Sequence, residues 1–166
     1  MHSQSMAIMT HMISKVVPND ALVLDVGSWM EPEQGHSYRE IMAGREYVGV
    51  DLREGLNVDV VMPSPYEIPY PDGTFDAVIS GQMLEHCERP WAIVAEMARV
   101  LAVGGVMILI APSAGYEHRF PLDCWRILPD GMNALGDEAG LDRMAVAQAD
   151  DEPWNSVVGV FKKVTA

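Results

Sequence analysis

Basic residues are scarce in this chain. Its 166 residues hold 11 lysines and arginines against 24 aspartates and glutamates, a formal net charge of -13. A surface so acidic repels polyanions, which argues against DNA, RNA and an anionic membrane as partners. The one visible basic pair is Lys162-Lys163. Cysteine is scarcer still: Cys87 and Cys124 are too few for a disulfide framework in a chain of this length, and neither lies in a CxxC. A reducing cytoplasm is therefore the expected compartment. No apolar run is long enough to span a bilayer, and no leader is expected. The five histidines, His2, His11, His36, His86 and His118, form no HExxH or similar spacing, so no metal site is expected. Also missing is G-x-G-x-x-G: the stretch Gly27-Ser28-Trp29-Met30-Glu31-Pro32 does not provide the loop that a nicotinamide-dependent dehydrogenase wants.

What is present begins with Leu22-Val23-Leu24-Asp25-Val26-Gly27 and a second apolar run, Tyr47-Val48-Gly49-Val50, that ends on Asp51. A short buried strand stopping on a glycine lets backbone approach a ligand closely, and a carboxylate closing the next strand suits ribose hydroxyls. Asp51 follows Gly27 by 24 positions, near the roughly 20-residue spacing expected of such acids. Packing alone can produce the same pattern, because any buried parallel strand reads as a continuous apolar run.

The rest of the chain alternates strand and helix signals. Met6, Met9, Ile13 and Val17 recur at helical steps, predicting an N-terminal helix within residues 1–17 that ends before Pro18. Its methionines read as core filler or as an adaptable lid. Ser37 to Ala43 is expected to be a helix closed by Gly44, and Tyr47 to Asp51 a strand. Val58 to Met62 reads as a short strand before Pro63, Pro65, Pro69 and Pro71 forbid regular structure, and Phe75 to Ser80 as the next. Pro90 opens a helix whose apolar face is Trp91, Val94, Met97, Ala98 and Leu101, ended by Gly104-Gly105. Val106 to Ala111 reads as a buried strand. A long connection from Pro112 to Pro129 leads to a helix through Met132 and Leu135 that stops at Gly140. Two strand-like segments, Arg143 to Gln148 and Val157 to Lys162, flank an acidic turn. This order implies one α/β domain over residues 1–166, with a mainly parallel sheet covered on both faces.

In sequence, five segments resemble the class I S-adenosylmethionine-dependent methyltransferases, in particular the type 11-like bacterial group. They are Val23 to Ser28, Tyr47 to Asp51, Pro71 to Ser80, Met83-Leu84-Glu85-His86, and Ala98 to Leu101 leading into Gly104-Gly105, and the likeness runs from Leu22 to Phe161. The resemblance implies a Rossmann-like, doubly wound sheet of seven strands whose last strand is antiparallel, with S-adenosyl-L-methionine as cofactor. It carries cofactor contacts onto Asp25, Gly27 and Ser28, onto Asp51 and Leu52, onto Ser64, Pro65 and Tyr66, and onto Ser80, Gly81 and Gln82. Two positions depart from the family pattern. Trp29 stands where a second glycine is usual, with Gly35-His36-Ser37-Tyr38-Arg39 as another source of close approach, and Ser64 stands where an adenine-contacting acid is often found.

Methyl transfer asks a protein mainly to align a nucleophile and exclude water. His86, just after the fourth strand, and His118, on the long connection, are the candidate bases. His86 reads more readily as a structural histidine at a helix start than as a base. Tyr116, Arg119, Trp125 and Arg126 are candidate contacts to a small-molecule acceptor. The alternative is that Trp125 and Arg126 staple the connection to the sheet, through packing and a salt bridge to Asp123. A non-catalytic cofactor-binding or scaffold protein of the same fold is the rival reading.

Overall fold

A computed structural model describes residues 3–32 and 36–165. Seven strands form one sheet in the order β3-β2-β1-β4-β5-β7-β6. They are β1 (Leu22–Val26), β2 (Glu46–Asp51), β3 (Val60–Val61), β4 (Phe75–Gly81), β5 (Leu101–Ala111), β6 (Asp142–Gln148) and β7 (Val157–Lys162). The first five run parallel, and β7 is antiparallel to both β5 and β6. From β1 the chain steps outward to β2 and β3, then returns to place β4 and β5 on the other side. The crevice beyond the carboxyl ends of β1 and β4 is thus the switch point where ligands collect in such sheets.

Side-chain alternation along the strands builds two cores. Leu24, Val26, Val78, Met107 and Leu109 face α2 (Pro90–Val100) and α3 (Pro129–Glu138). Val23, Ala77, Ile79, Ile108 and Ile110 face the other way, toward Met9, Ile13 and Val17 of the N-terminal segment, whose helix α1 spans Ser3–Val16. Met9 and Ile13 are buried there, so these side chains fill core. Among the described residues no helix is long and apolar enough to cross a membrane.

Four local expectations differ from the structure. The helix expected over Ser37 to Ala43 is a single 3-10 turn, Tyr38–Ile41; Ala43 and Gly44 both take positive φ, which ends the turn at once. The third strand is only Val60–Val61, because Asn57 sits in the left-handed region at φ +71° and the chain is extended only after it. Helix α2 ends at Val100, and Leu101, expected on its apolar face, opens β5. Gly104 and Gly105 therefore lie within a strand, while the Lys163 ammonium donates to the carbonyls of Ala98, Arg99 and Leu101 where helix gives way to strand. Trp91 is 45% exposed, since the buried face of α2 is Ile93, Val94, Met97 and Ala98, and its ring meets Trp125 edge-on at 6.1 Å.

Candidate functional site

A cavity of about 600 Å³ opens at the carboxyl ends of β1, β2 and β4. Gly27 lies on its wall with φ +83°, and a Cβ there would fall 2.6 Å from Met83 Cγ, so the turn after β1 has room only for glycine. The backbone N–H groups of Gly27 and Ser28 both donate to the Val50 carbonyl, which locks this turn to β2. Asp51, at the end of β2, accepts from Trp29 N at 3.1 Å and Arg53 N at 3.2 Å, one bond on each carboxylate oxygen. Each oxygen keeps lone-pair capacity for further donors.

The cavity joins most of the residues expected around a cofactor. Gly27, Ser28, Asp51, Leu52, Pro65, Tyr66, Gly81 and Gln82 all line it. Three expected contacts lie elsewhere. Asp25 is buried beneath the turn and accepts from Tyr47 Oη at 2.5 Å, and Asn57 Nδ2 ties that phenol to the Ser28 carbonyl. Burial pushes the Asp25 carboxyl up to about 7, a rise that the Tyr47 hydrogen bond opposes. Ser80 is also buried, its hydroxyl donated to the Val26 carbonyl at 2.7 Å. Ser64 forms an isolated bridge with Glu67 behind Pro65 and Tyr66. Gly35 lies outside the described residues.

The other end of the cavity belongs to the connection after β5. His86, His118 and Arg119 line it, together with Phe120 and Leu122. Tyr116, Trp125 and Arg126 do not reach it. Tyr116 is exposed with its ring 5.0 Å from Trp154; Trp125 Nε1 donates to the Cys87 carbonyl at 2.8 Å. Arg126 binds Asp123 with both Nη atoms, which is the geometry of a staple. His86 closes a 3-10 turn, Leu84–His86, and its Nδ1 lies 2.6 Å from the Leu122 carbonyl. Burial lowers the pKa of His86, and the Leu122 carbonyl works against that. The histidine is thus both tied to the loop and on the cavity wall.

Sequence reasoning missed three residues here. The Arg53 guanidinium stacks over Trp29 at 4.3 Å and over Phe120 at 4.6 Å, so the tryptophan at the usual glycine position joins the first turn to the far loop. Glu85 lies fully buried beside His86, and burial pushes its carboxyl up to about 8 against the opposing Arg126 charge. A charged residue within Met83-Leu84-Glu85-His86 was the available signal. Nothing local to Arg53 or Phe120 reveals their pairing.

Comparison with known proteins agrees with this arrangement. A family described as a methyltransferase domain matches residues 34–109. An uncharacterized methyltransferase of Mycobacterium tuberculosis is 31% identical over 104 residues, covering 60% of this chain and 37% of the relative. The rice 2-methyl-6-phytyl-1,4-hydroquinone methyltransferase 1 is 34% identical over 74 residues, 43% of this chain and 22% of that protein. The chain therefore spans less than half the length of these curated relatives. Among solved structures, the YcgJ protein of Bacillus subtilis superposes with a TM-score of 0.74 at 15% identity, covering 99% of this chain and 100% of that one. A Burkholderia thailandensis 1,6-didemethyltoxoflavin-N1-methyltransferase, solved with 1,6-didemethyltoxoflavin and S-adenosylhomocysteine, superposes with a TM-score of 0.72 at 15% identity over 98% of this chain and 78% of that one. The sheet order and the switch-point cavity are those of the class I S-adenosylmethionine-dependent methyltransferase fold, and residues 34–109 are similar to the methyltransferase domain of its type 11 group.

Proposed function

We propose that this chain transfers a methyl group from S-adenosyl-L-methionine to a small-molecule acceptor, at oxygen or nitrogen. The observation that carries the reading is one continuous cavity reaching from Gly27 and Asp51 to His86 and His118. The residues present fit the cofactor: the side-chain-free Gly27 backbone lies on the cavity wall, and Asp51 retains acceptor capacity for two vicinal hydroxyls. Gly27 and Ser28 would hold the methionine portion, Asp51 the ribose, and Leu52, Pro65 and Tyr66 the adenine. When bound, the cofactor supplies a methyl group on a sulfonium, electrophilic without further activation.

What remains for the chain is positioning and proton handling. Gly81, which ends β4, and Gln82 line the cavity and would border cofactor and acceptor. The Nδ1 atoms of His86 and His118 face loop carbonyls, so each Nε2, beside Glu85, carries the lone pair that would take the proton of an acceptor hydroxyl or ammonium. Phe120 and Leu122 exclude water, and Arg119 stands at the rim where an anionic acceptor would enter. A small acceptor agrees with the names of the rice and Burkholderia proteins and with the net charge of -13, which disfavours nucleic acid and membrane. A cytoplasmic location belongs to the same reading.

Calorimetric titration with S-adenosylmethionine, S-adenosylhomocysteine and NAD tests the cofactor. The two sulfur nucleosides should bind and NAD should not. Transfer of a labelled methyl group to a metabolite panel then identifies the acceptor class. Absence of binding by either sulfur nucleoside to folded protein overturns the proposal.

A further inference from the structure

Glu85, His86 and His118 converge where the turn after β4 meets the loop after β5. Glu85 Oε1 lies 3.7 Å from His86 Nε2 and 3.9 Å from His118 Nε2, and the ligand atoms of the three residues all fall within 4.8 Å of one another. The Glu85 side chain is wholly inaccessible, yet neither of its oxygens has a hydrogen-bond partner among the described residues. A buried carboxylate without a donor is strongly disfavoured unless a proton or a cation completes it. The Arg126 charge offsets it only in part and donates no hydrogen bond to it: the Nη atoms are committed to Asp123 and to the Trp125 and Tyr116 carbonyls, and the buried Nε has no hydrogen-bond partner among the described residues.

The two imidazoles are already oriented as ligands. His86 Nδ1 is 2.6 Å from the Leu122 carbonyl, and a carbonyl only accepts, so this nitrogen carries the proton and Nε2 holds the lone pair. His118 Nδ1 faces the Tyr116 carbonyl at 3.4 Å and Asp123 Oδ2 at 3.7 Å, which selects the same tautomer. A ring nitrogen donating to a carbonyl or carboxylate while the other faces a metal is the usual outer arrangement of metal-bound histidine. The backbone holds the third ligand as firmly, because the Glu85 carbonyl accepts from Cys124 N at 2.7 Å and Trp125 N at 3.3 Å.

We propose that Glu85, His86 and His118 bind a divalent first-row transition-metal ion such as zinc, cobalt or iron(II). Two nitrogens and one carboxylate suit these ions, whereas magnesium and calcium favour oxygen ligands throughout. Atoms bound to one tetrahedral zinc lie about 3.4 Å apart, so the triad closes on an ion by sub-ångström shifts of its carboxylate and rings. Three protein ligands leave at least one position open, and both histidines stand on the cavity wall. An acceptor oxygen can occupy that position, a use of the site that rests on the methyl-transfer reading; ion binding itself does not. A ring nitrogen holding the ion no longer takes a proton, so the metal replaces the histidine base.

The test is titration of the chelator-treated full chain with zinc and with cobalt(II), followed by calorimetry, by cobalt visible absorption and by melting temperature. One ion should bind, magnesium should not compete, and the melting temperature should rise. Glu85→Gln and His118→Ala should each weaken binding by about tenfold or more. His118→Ala lies on a loop and so stays interpretable if the buried Glu85→Gln variant fails to fold. No binding, or equal affinity in a folded variant, overturns the site. S-adenosylmethionine titrated into the same metal-free protein reads the other proposal separately: nucleoside binding without metal binding sinks only this site, and the reverse sinks only the methyl-transfer reading.

Discussion

Arg126 holds Asp123 in a two-point fork, Nη1 to Oδ1 at 2.6 Å and Nη2 to Oδ2 at 2.9 Å, and Asp123 Oδ2 also accepts the backbone N–H of His118 at 2.7 Å. The guanidinium is the main reason the Asp123 carboxyl lies well below its usual range. One carboxylate therefore sets where His118 stands.

Asp123→Ala should free the loop without dissolving the sheet. Charge-assisted hydrogen bonds of this kind are worth about 2 kcal/mol, a figure already reduced because Arg126 is partly exposed. Urea unfolding should show a loss near that size, and hydrogen exchange should quicken across residues 116–126 while β4 and β5 stay protected. Unchanged exchange in the loop would show that the Trp125 bond to the Cys87 carbonyl is enough to hold it.

Asp25 makes the stability of the chain depend on pH in a direction that can be stated. Its carboxyl titrates near 7 when folded, against 3.8 ordinarily. Between those values the folded state holds a proton that the unfolded state has lost, so stability falls as pH rises through this window and then levels. The size of the fall is about 4 kcal/mol. Asp25→Asn has no such proton, so its stability relative to the parent should improve from about pH 4 to about pH 7 and level above that. The buried Glu85 titrates in both proteins and cancels in the difference. A difference that is flat in pH would mean the folded carboxyl is ionised throughout.

The strands were legible because a buried parallel strand is nearly all apolar, as Leu22 to Val26 and Val106 to Ala111 are. Gly27 and Asp51 were legible for a related reason: ligand-facing residues of this sheet sit where such runs stop. Failures came where side chains act across the fold. Trp91 falls in a helical apolar pattern, yet its partner is Trp125 on a distant loop. Ala43 gives no hint of its positive φ. Asp25 ends a strand like a ligand acid but is held under the turn by Tyr47. Glu85 reads as an ordinary surface charge, and only the packing of the loop after β5 brings His118 beside it. Spacing along the chain could not have revealed that cluster, since His118 arrives 32 residues after His86.

The two thiols should differ sharply in reactivity. Cys124 is exposed, whereas Cys87 is half-buried on the cavity wall and its thiol is pushed up to about 12, chiefly by burial. Thiolate is the reactive form. Iodoacetamide at pH 8 should therefore label Cys124 first, as read by peptide mass spectrometry, and S-adenosylmethionine should slow the later labelling of Cys87 alone. Equal labelling rates would contradict the burial of Cys87, and protection of neither thiol by the nucleoside would place it elsewhere.

Asp51 offers the sharpest test of the cofactor reading. Its two oxygens already cap Trp29 N and Arg53 N, and a ribose would add a charge-assisted hydrogen bond to each. Losing both ribose bonds costs about 3 kcal/mol, or about 100-fold in the dissociation constant. Asp51→Ala should show that loss by calorimetry. It also removes the two backbone caps, so a lower melting temperature alone would say nothing about the ligand. Asp51→Asn separates the effects, because its amide oxygen keeps one acceptor for the turn while the negative charge facing the ribose is gone. The neutral variant should melt nearer the parent than the alanine variant does, yet bind S-adenosylmethionine at least about tenfold more weakly. Parental affinity in folded Asp51→Asn and Asp51→Ala would remove this carboxylate from the site and, with it, the assignment of the β2 end of the cavity to the ribose.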